Sequence, residues 1–265
     1  MKNISPLRYP GGKTRACKKL EEIINKYFNL NSFNTLISPF FGGGSFEFFI
    51  QNNYNINIIA NDKFNPLYTF WNTCIYDKNN LYQKLIEFIN KIDKNIFIDL
   101  RQKIMNEKND LTKSIMYFII NRCSFNGSTL SGGFSLEASK KRFTMSSINK
   151  INNLNLTKFS IYNLDFLDFI NNYYDESRLM FLDPPYYLEK GSKLYGNNGD
   201  MHENFNHDKL FQCLFNKKNW FMTYNNCEYI KKLYKDFIII DLEWSYGMNK
   251  SKSSSEIIII SHNDI

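Results

Sequence analysis

Residues 35–62 read TLISPFFGGGSFEFFIQNNYNINIIAND. A short apolar run, Thr35–Phe40, meets three consecutive glycines, Gly42, Gly43 and Gly44. A helical pattern follows (Phe46, Phe49, Ile50), then a second apolar run, Ile56–Ala60, and an acid, Asp62. Glycines at a strand-to-helix turn let a ligand approach the backbone closely. Asp62 stands twenty residues beyond Gly42 at the end of the next strand, where a carboxylate can accept both hydroxyls of a ribose. A glycine turn alone could be a plain tight turn. Turn, spacing and acid together point to a nucleoside site on an α/β sheet.

Further strand-length runs lie downstream: Lys158–Asn163, Arg178–Leu182, Trp220–Thr223, Phe237–Leu242 and Ile257–Ser261. Most lack polar alternation, as strands buried on both faces of a parallel sheet do. Helical patterns between several of them favour βαβ units. Residues 14–29 carry apolar positions at Ala16, Leu20, Ile23, Ile24 and Tyr27, which predicts an amphipathic helix. From Asn65 to Lys150 the rhythm breaks. Leu81–Ile92 and Leu111–Asn121 read as helices, and residues 126–142 are polar and bear Gly127, Gly132 and Gly133. The expected organisation is a sheet domain formed by residues 1–64 and 151–265. Residues 65–150 form a helical insert with a Gly-bearing hairpin. Residues 188–206 have three glycines and no periodicity, which predicts a functional lid or a disordered loop, the lid favoured by the motif that precedes it.

Composition narrows the class. Of 265 residues, 43% are apolar and 17% aromatic, so the chain can build a core and is not a disordered tail. Lys and Arg number 33 against 26 Asp and Glu, a net +7 that suits a polyanionic partner. Five cysteines lie far apart with no CxxC, so neither a disulfide framework nor a zinc site is expected. With three histidines, a His-rich metal site is not expected either. The longest apolar run, Ile115–Ile120, is too short to span a bilayer. The N-terminus has no apolar signal core, so the expectation is a cytoplasmic chain that is not secreted.

A second motif, Asp183-Pro184-Pro185-Tyr186, follows the run Leu179–Leu182. The strand would deliver Asp183 to the carboxyl edge of the sheet, where ligands bind. Two prolines fix the backbone and remove two N–H donors. A carboxylate and a rigid carbonyl side by side suit the two hydrogens of an exocyclic amine, and Tyr186 offers a face for a flat base. A third stretch, Ser5–Thr14, ends in Gly11-Gly12-Lys13-Thr14. A Walker A loop would need glycine where Leu7 stands, and no strand precedes it, so a phosphate loop is excluded.

Taken together these pieces resemble the D12-class (Dam-like, α-group) DNA adenine-N6 methyltransferases. The resemblance rests on Tyr9-Pro-Gly-Gly-Lys13, Phe41-Gly-Gly-Gly44, Asp62, Asn121-Arg122-Cys-Ser-Phe-Asn126-Gly127 and Asp183-Pro-Pro-Tyr186. It continues through Thr223-Tyr224-Asn225 and Ser253-Ser-Ser-Glu256. It implies a Rossmann-like, seven-stranded S-adenosylmethionine-dependent sheet with the helical insert as target-recognition domain. It implies S-adenosyl-L-methionine as cofactor, held by Tyr9, Lys13, Phe41, Gly42, Gly44, Asp62, Asp165 and Asp183. Asp183, Pro184, Pro185 and Tyr186 would be the catalytic motif. Asn126 and the basic run Lys140-Lys141-Arg142 would meet double-stranded DNA, and Arg122, at a helix end, would either meet a phosphate or support the Gly hairpin. The implied reaction is site-specific adenine-N6 methylation of a flipped base, with no metal and with a cognate restriction endonuclease as a possible partner. Between Asn126-Gly127 and Lys140 there is no Arg or Lys. Members that methylate GATC carry a base-reading Arg there, which sets this chain apart from them. The rivals are methylation of another planar amine (cytosine N4, RNA adenine, a protein amide) and a catalytically inactive DNA-binding relic.

Overall fold

The computed structural model describes residues 2–127, 129–187, 205–245 and 253–262. Seven strands form one sheet: β1 (Thr35–Ser38), β2 (Asn57–Asn61), β3 (Phe159–Tyr162), β4 (Leu179–Leu182), β5 (Trp220–Asn225), β6 (Ile238–Ser245) and β7 (Ser253–Ile260). Their order is β3-β2-β1-β4-β5-β7-β6. All seven apolar runs of the sequence are therefore strands. Neighbours from β3 to β5 are parallel, whereas β7 runs antiparallel to both β5 and β6. Residues 246–252 are too few for a helical crossover, so β6 and β7 can pair only as antiparallel neighbours.

The central strands are apolar throughout because both faces are covered. Leu179, Met180, Phe181 and Leu182 of β4 are all buried. On one face α1 (Cys17–Ile24) and α2 (Ser45–Tyr54) pack Leu20, Ile24, Phe46 and Ile50 against Phe181 and Phe221. On the other, α9 (Phe166–Tyr173), α10 (His207–Leu214) and α11 (Glu228–Leu233) bury Phe169, Ile170, Leu210, Leu214 and Ile230 against Met180, Met222 and Ile259.

Between β2 and β3 stand helices α3 (Asn65–Tyr76), α4 (Lys78–Ile86), α5 (Lys94–Lys103), α6 (Asp110–Cys123), α7 (Leu136–Lys141) and α8 (Met145–Asn152). Helix α6 is their centre, and it is buried continuously from Ser114 to Cys123. The apolar residues of this insert join Phe41, Phe48, Ile58, Phe159 and Ile161 of the sheet region in one continuous cluster. Residues 126–142, read as a glycine hairpin, are tighter than that. One antiparallel bridge joins Ser124 to Phe134, with short 3₁₀ turns inside it and α7 after it. Most of the expected lid, residues 188–204, lies outside the described residues. Among the described residues, no helix is long and apolar enough to cross a membrane.

Strand order reverses between β1 and β4, because β1 leads out to β2 on one side while β4 leads to β5 on the other. In such sheets the ligand crevice lies at the carboxyl ends of the strands beside that reversal. The glycine turn leaves β1 there, and Asp183 leaves β4 there.

Candidate functional site

A cavity of about 830 Å³ opens at this edge. It is lined by Tyr9, Lys13, the turn Phe41–Gly44, Asp62, Asp165 and Asp183–Tyr186, among others. This size is ordinary for a cofactor-sized ligand. All the residues that the sequence nominates for the cofactor and the chemistry thus border one space.

The glycine turn is shaped by contact with Tyr9. Gly42 has φ +52°, and a Cβ there would lie 2.8 Å from the Tyr9 ring. Only glycine accepts both the left-handed backbone and the packed ring. Asp62 fastens the turn to β2. Its Oδ2 accepts a hydrogen bond from the Gly42 N–H at 2.9 Å, and its Oδ1 accepts one from the Phe64 N–H at 2.9 Å. A carboxylate has about four acceptor sites, so two backbone bonds leave capacity for ribose hydroxyls. Burial pushes the Asp62 carboxyl up to about 6 even against those two bonds. Asn61, which the sequence reading overlooks, joins three strand ends. Its amide donates to the Pro39 and Leu164 carbonyls and its oxygen accepts from the Leu164 N–H. An Asn beside a conspicuous acid gives no signal until the strands are laid side by side.

Asp165 caps α9 through the Leu167 N–H and pairs with Lys63 at 2.8 Å. Above it, Phe40, Phe166 and Phe205 form an aromatic wall, with centroids 5.3–5.7 Å apart. These three line the cavity as well. Phe41, expected at the cofactor, turns its ring the other way. It packs on Phe48, Trp71 and Phe159 inside the core, so its neighbour Phe40 supplies the exposed face.

At the β4 end, Asp183 Oδ1 lies 3.0 Å from Lys13 Nζ and accepts a hydrogen bond from Thr223 Oγ1 at 2.6 Å. Lys13 also donates to Tyr186 Oη at 2.8 Å and to the Gly11 carbonyl at 3.0 Å. This buried lysine therefore grips the Asp-Pro-Pro-Tyr motif at the cavity wall. Glu256 of β7 stands 3.9 Å from the same ammonium. The Tyr186 ring stacks on Tyr224 of β5, with centroids 5.9 Å apart, and Tyr224 is in turn hydrogen-bonded to His207. Asn225 donates to the Tyr187 carbonyl at 2.8 Å. Thr223-Tyr224-Asn225 thus forms a bracket holding residues 183–187 from the next strand.

The nucleic-acid candidates divide. Arg122 does not reach the surface. Its Nε donates to the Arg142 carbonyl at 2.7 Å and its Nη1 to the Pro6 carbonyl at 3.1 Å. It is buried, and its guanidinium falls to about 10 through desolvation and the nearby Arg8 and Arg142. The expectation of a phosphate contact at Arg122 is corrected accordingly. Asn121 brackets Arg8, donating to its carbonyl and accepting from its N–H. Gly127, at φ +72°, lets the turn lie against Arg8, where a Cβ would meet the Arg8 Cβ at 2.7 Å. The motif spanning Asn121–Gly127 therefore docks the insert onto residues 6–8. The Asn126 side chain lies outside the described residues. Lys140, Lys141 and Arg142 are exposed, with Lys141 paired to Glu137 at 2.9 Å. Phe125 is an aromatic that the sequence reading overlooks, 64% exposed beside the bridge between Ser124 and Phe134. No group of metal-ligating side chains occurs among the described residues.

Two curated proteins and one family profile are similar to this chain. The chain is 26% identical over 198 residues to "Type II methyltransferase M.MjaIII" of Methanocaldococcus jannaschii, covering 68% of each. It is 22% identical over 259 residues to "Type II methyltransferase M.CviBI" of Paramecium bursaria Chlorella virus NC1A, covering 91% of this chain and 90% of that one. A family profile described as D12 class N6 adenine-specific DNA methyltransferase matches residues 9–248. With the glycine turn, Asp62 and Asp183–Tyr186 gathered on one cavity inside that span, the chain belongs to the D12 class N6 adenine-specific DNA methyltransferases.

Proposed function

We propose that this chain methylates N6 of an adenine turned out of duplex DNA at one short recognition sequence, with S-adenosyl-L-methionine as donor. The activity is that of a site-specific adenine methyltransferase. The observation that carries the reading is the position of Asp183-Pro184-Pro185-Tyr186, held against the cavity by Lys13 and Thr223. The cofactor, when bound, supplies a methyl group on a sulfonium centre.

The chain's own residues do the rest. Asp183 and the Pro184 carbonyl accept the two N6 hydrogens, which aims the nitrogen lone pair. Both bonds of Asp183 named above fall on Oδ1, so the carboxylate keeps acceptor capacity for the amine. The ring of Tyr186, steadied by Tyr224, receives the flat face of the extruded base. Extruding a base costs a few kcal/mol, which stacking and hydrogen bonds in the pocket offset. Holding donor and acceptor in line supplies roughly 7–11 kcal/mol in favourable cases. Asp62 takes the ribose, and Phe40, Phe166 and Asp165 frame the cofactor's adenine.

The helical insert of residues 65–150 meets the duplex. Lys140, Lys141 and Arg142 contact phosphates, and Asn126 belongs to the segment that meets the DNA. Phe125, exposed beside that segment, suits a wedge between base steps. The relatives' designation as type II methyltransferases supports a role beside a restriction endonuclease. Modification-sensitive sequencing of DNA from cells expressing the chain tests the proposal. N6-methyladenine confined to one short motif is the expected result, and unmodified DNA contradicts it.

A further inference from the structure

Glu47 borders the same cavity but has no part in the scheme above. It sits in the first turn of α2, 2% exposed, and its Oε1 accepts a hydrogen bond from Ser38 Oγ at 2.6 Å. The groups that face it come from several elements. Asp183 arrives from β4, Lys13 from the N-terminal turn and Cys17 from α1. Glu256 of β7 stands behind Lys13 at 3.9 Å. Lys13 is directed at Asp183, Tyr186 and the Gly11 carbonyl. This corner therefore sets Asp183 and Glu256 against one lysine that is already engaged, with Glu47 buried close enough to feel Asp183 and Lys13. Desolvation, the largest cause, and the neighbouring Asp183 push the Glu47 carboxyl up to about 8, so it keeps its proton at neutral pH.

Sheet order says which part of a ligand lies here. On the cofactor reading above, the adenine lies by Asp165 after β3 and the ribose by Asp62 after β2. The methionine end then lies over β1 and β4, where Glu47 and Asp183 stand. We infer that Glu47 is the counter-charge of the sulfonium: cofactor binding drives its proton to solvent, and loss of the methyl group lets a proton return. The charges balance. During transfer the N6 lone pair forms the N–C bond, the S–C bonding pair stays on sulfur, and N6 sheds one proton. The site has then lost one positive charge, and Glu47 takes up one proton. Glu47 so favours the charged donor over the neutral product, S-adenosylhomocysteine.

This inference rests on the cofactor reading, and the test separates the two. The full chain is titrated calorimetrically at pH 7 with S-adenosylmethionine, with sinefungin, which carries a cationic amine in place of the sulfonium, and with S-adenosylhomocysteine. Each titration is repeated in buffers of different ionisation enthalpy to count protons. The expected release is roughly half a proton or more for the two cationic ligands and close to none for the neutral one. Because all three ligands share the ribose and amino acid end, their difference isolates the sulfonium position, and no variant is needed. The preference for S-adenosylmethionine over S-adenosylhomocysteine should grow by up to about tenfold per pH unit from pH 6 to 7.5, one proton's worth of linkage. Glu47→Gln keeps the size and an acceptor for Ser38. It should abolish the release and flatten that pH dependence. Equal proton counts for all three ligands, or an unchanged count in Glu47→Gln, overturn the role of Glu47. Absence of binding by any of them overturns the cofactor reading and the inference with it.

Discussion

Lys13 and Asp183 are 173 and 40 residues away from the groups that fix them, Tyr186 and Thr223. That separation explains why the motif is readable in the sequence while its support is not. Asp183→Ala should abolish methyl transfer and leave DNA binding close to wild type in a gel-shift assay, because Asp183 orients the amine and touches no phosphate. Asp62→Ala should weaken S-adenosylmethionine binding by about 1.5–3 kcal/mol, the usual worth of a charged hydrogen bond, as read by calorimetry. Unchanged affinity would remove Asp62 from the site. Glu47 makes a further prediction about the free protein. Its folded-state value is raised, so the stability it contributes is fully present below about 4.5 and is lost as pH rises through about 8. Asp62 acts with the same sign, over the window from about 3.8 to about 6. Melting temperature of the ligand-free chain should therefore fall from pH 5 to pH 8, and less steeply in Glu47→Gln. Arg122→Ala leaves the Pro6 and Arg142 carbonyls without their donor. It should cost about 1–3 kcal/mol of stability by chemical denaturation.

At the scale of elements, the insert shows where pattern reading succeeds and where it stops. Leu111–Asn121 is legible as a helix, and α6 spans Asp110–Cys123. Helix α3 is not legible, because Tyr68, Thr69, Phe70, Trp71 and Ile75 are residues that favour strands. Pro66 at its start and the packing of Leu67, Phe70, Trp71 and Cys74 into the shared cluster override that preference. The sequence of Asn121–Gly127 allows either a phosphate contact or a structural role for Arg122, and the polar groups of the motif are used inward, on residues 6–8. Burial of an arginine cannot be seen in a sequence that shows only its neighbours. The exposed run after α7 is different. Neutralising Lys140, Lys141 and Arg142 together should lower the slope of log affinity against log salt on duplex DNA by about two to three, at about 0.9 per contact. The preferred sequence should not change, since phosphate contacts carry no sequence information. A shifted recognition sequence would mean that these side chains read bases.

Over the whole molecule, the seven runs and the reversal between β1 and β4 place every cofactor candidate at one sheet edge. The runs, the glycine turn and the two acids at strand ends are legible in the sequence; the reversal that brings them together is not. Strand order and the antiparallel β7 do not follow from periodicity. They depend on the shortness of the 246–252 connection and on which faces the helices cover. The central claim is that this edge transfers a methyl group to adenine N6 in DNA. It is tested most directly by incubating the purified chain with methyl-tritiated S-adenosylmethionine and, in parallel, duplex DNA, RNA and protein, then digesting the labelled polymer to its units. Label in the DNA alone, recovered as N6-methyladenine and absent with Asp183→Ala, is the predicted result. Label in N4-methylcytosine, in RNA or in protein, or no label in any of them, would contradict it.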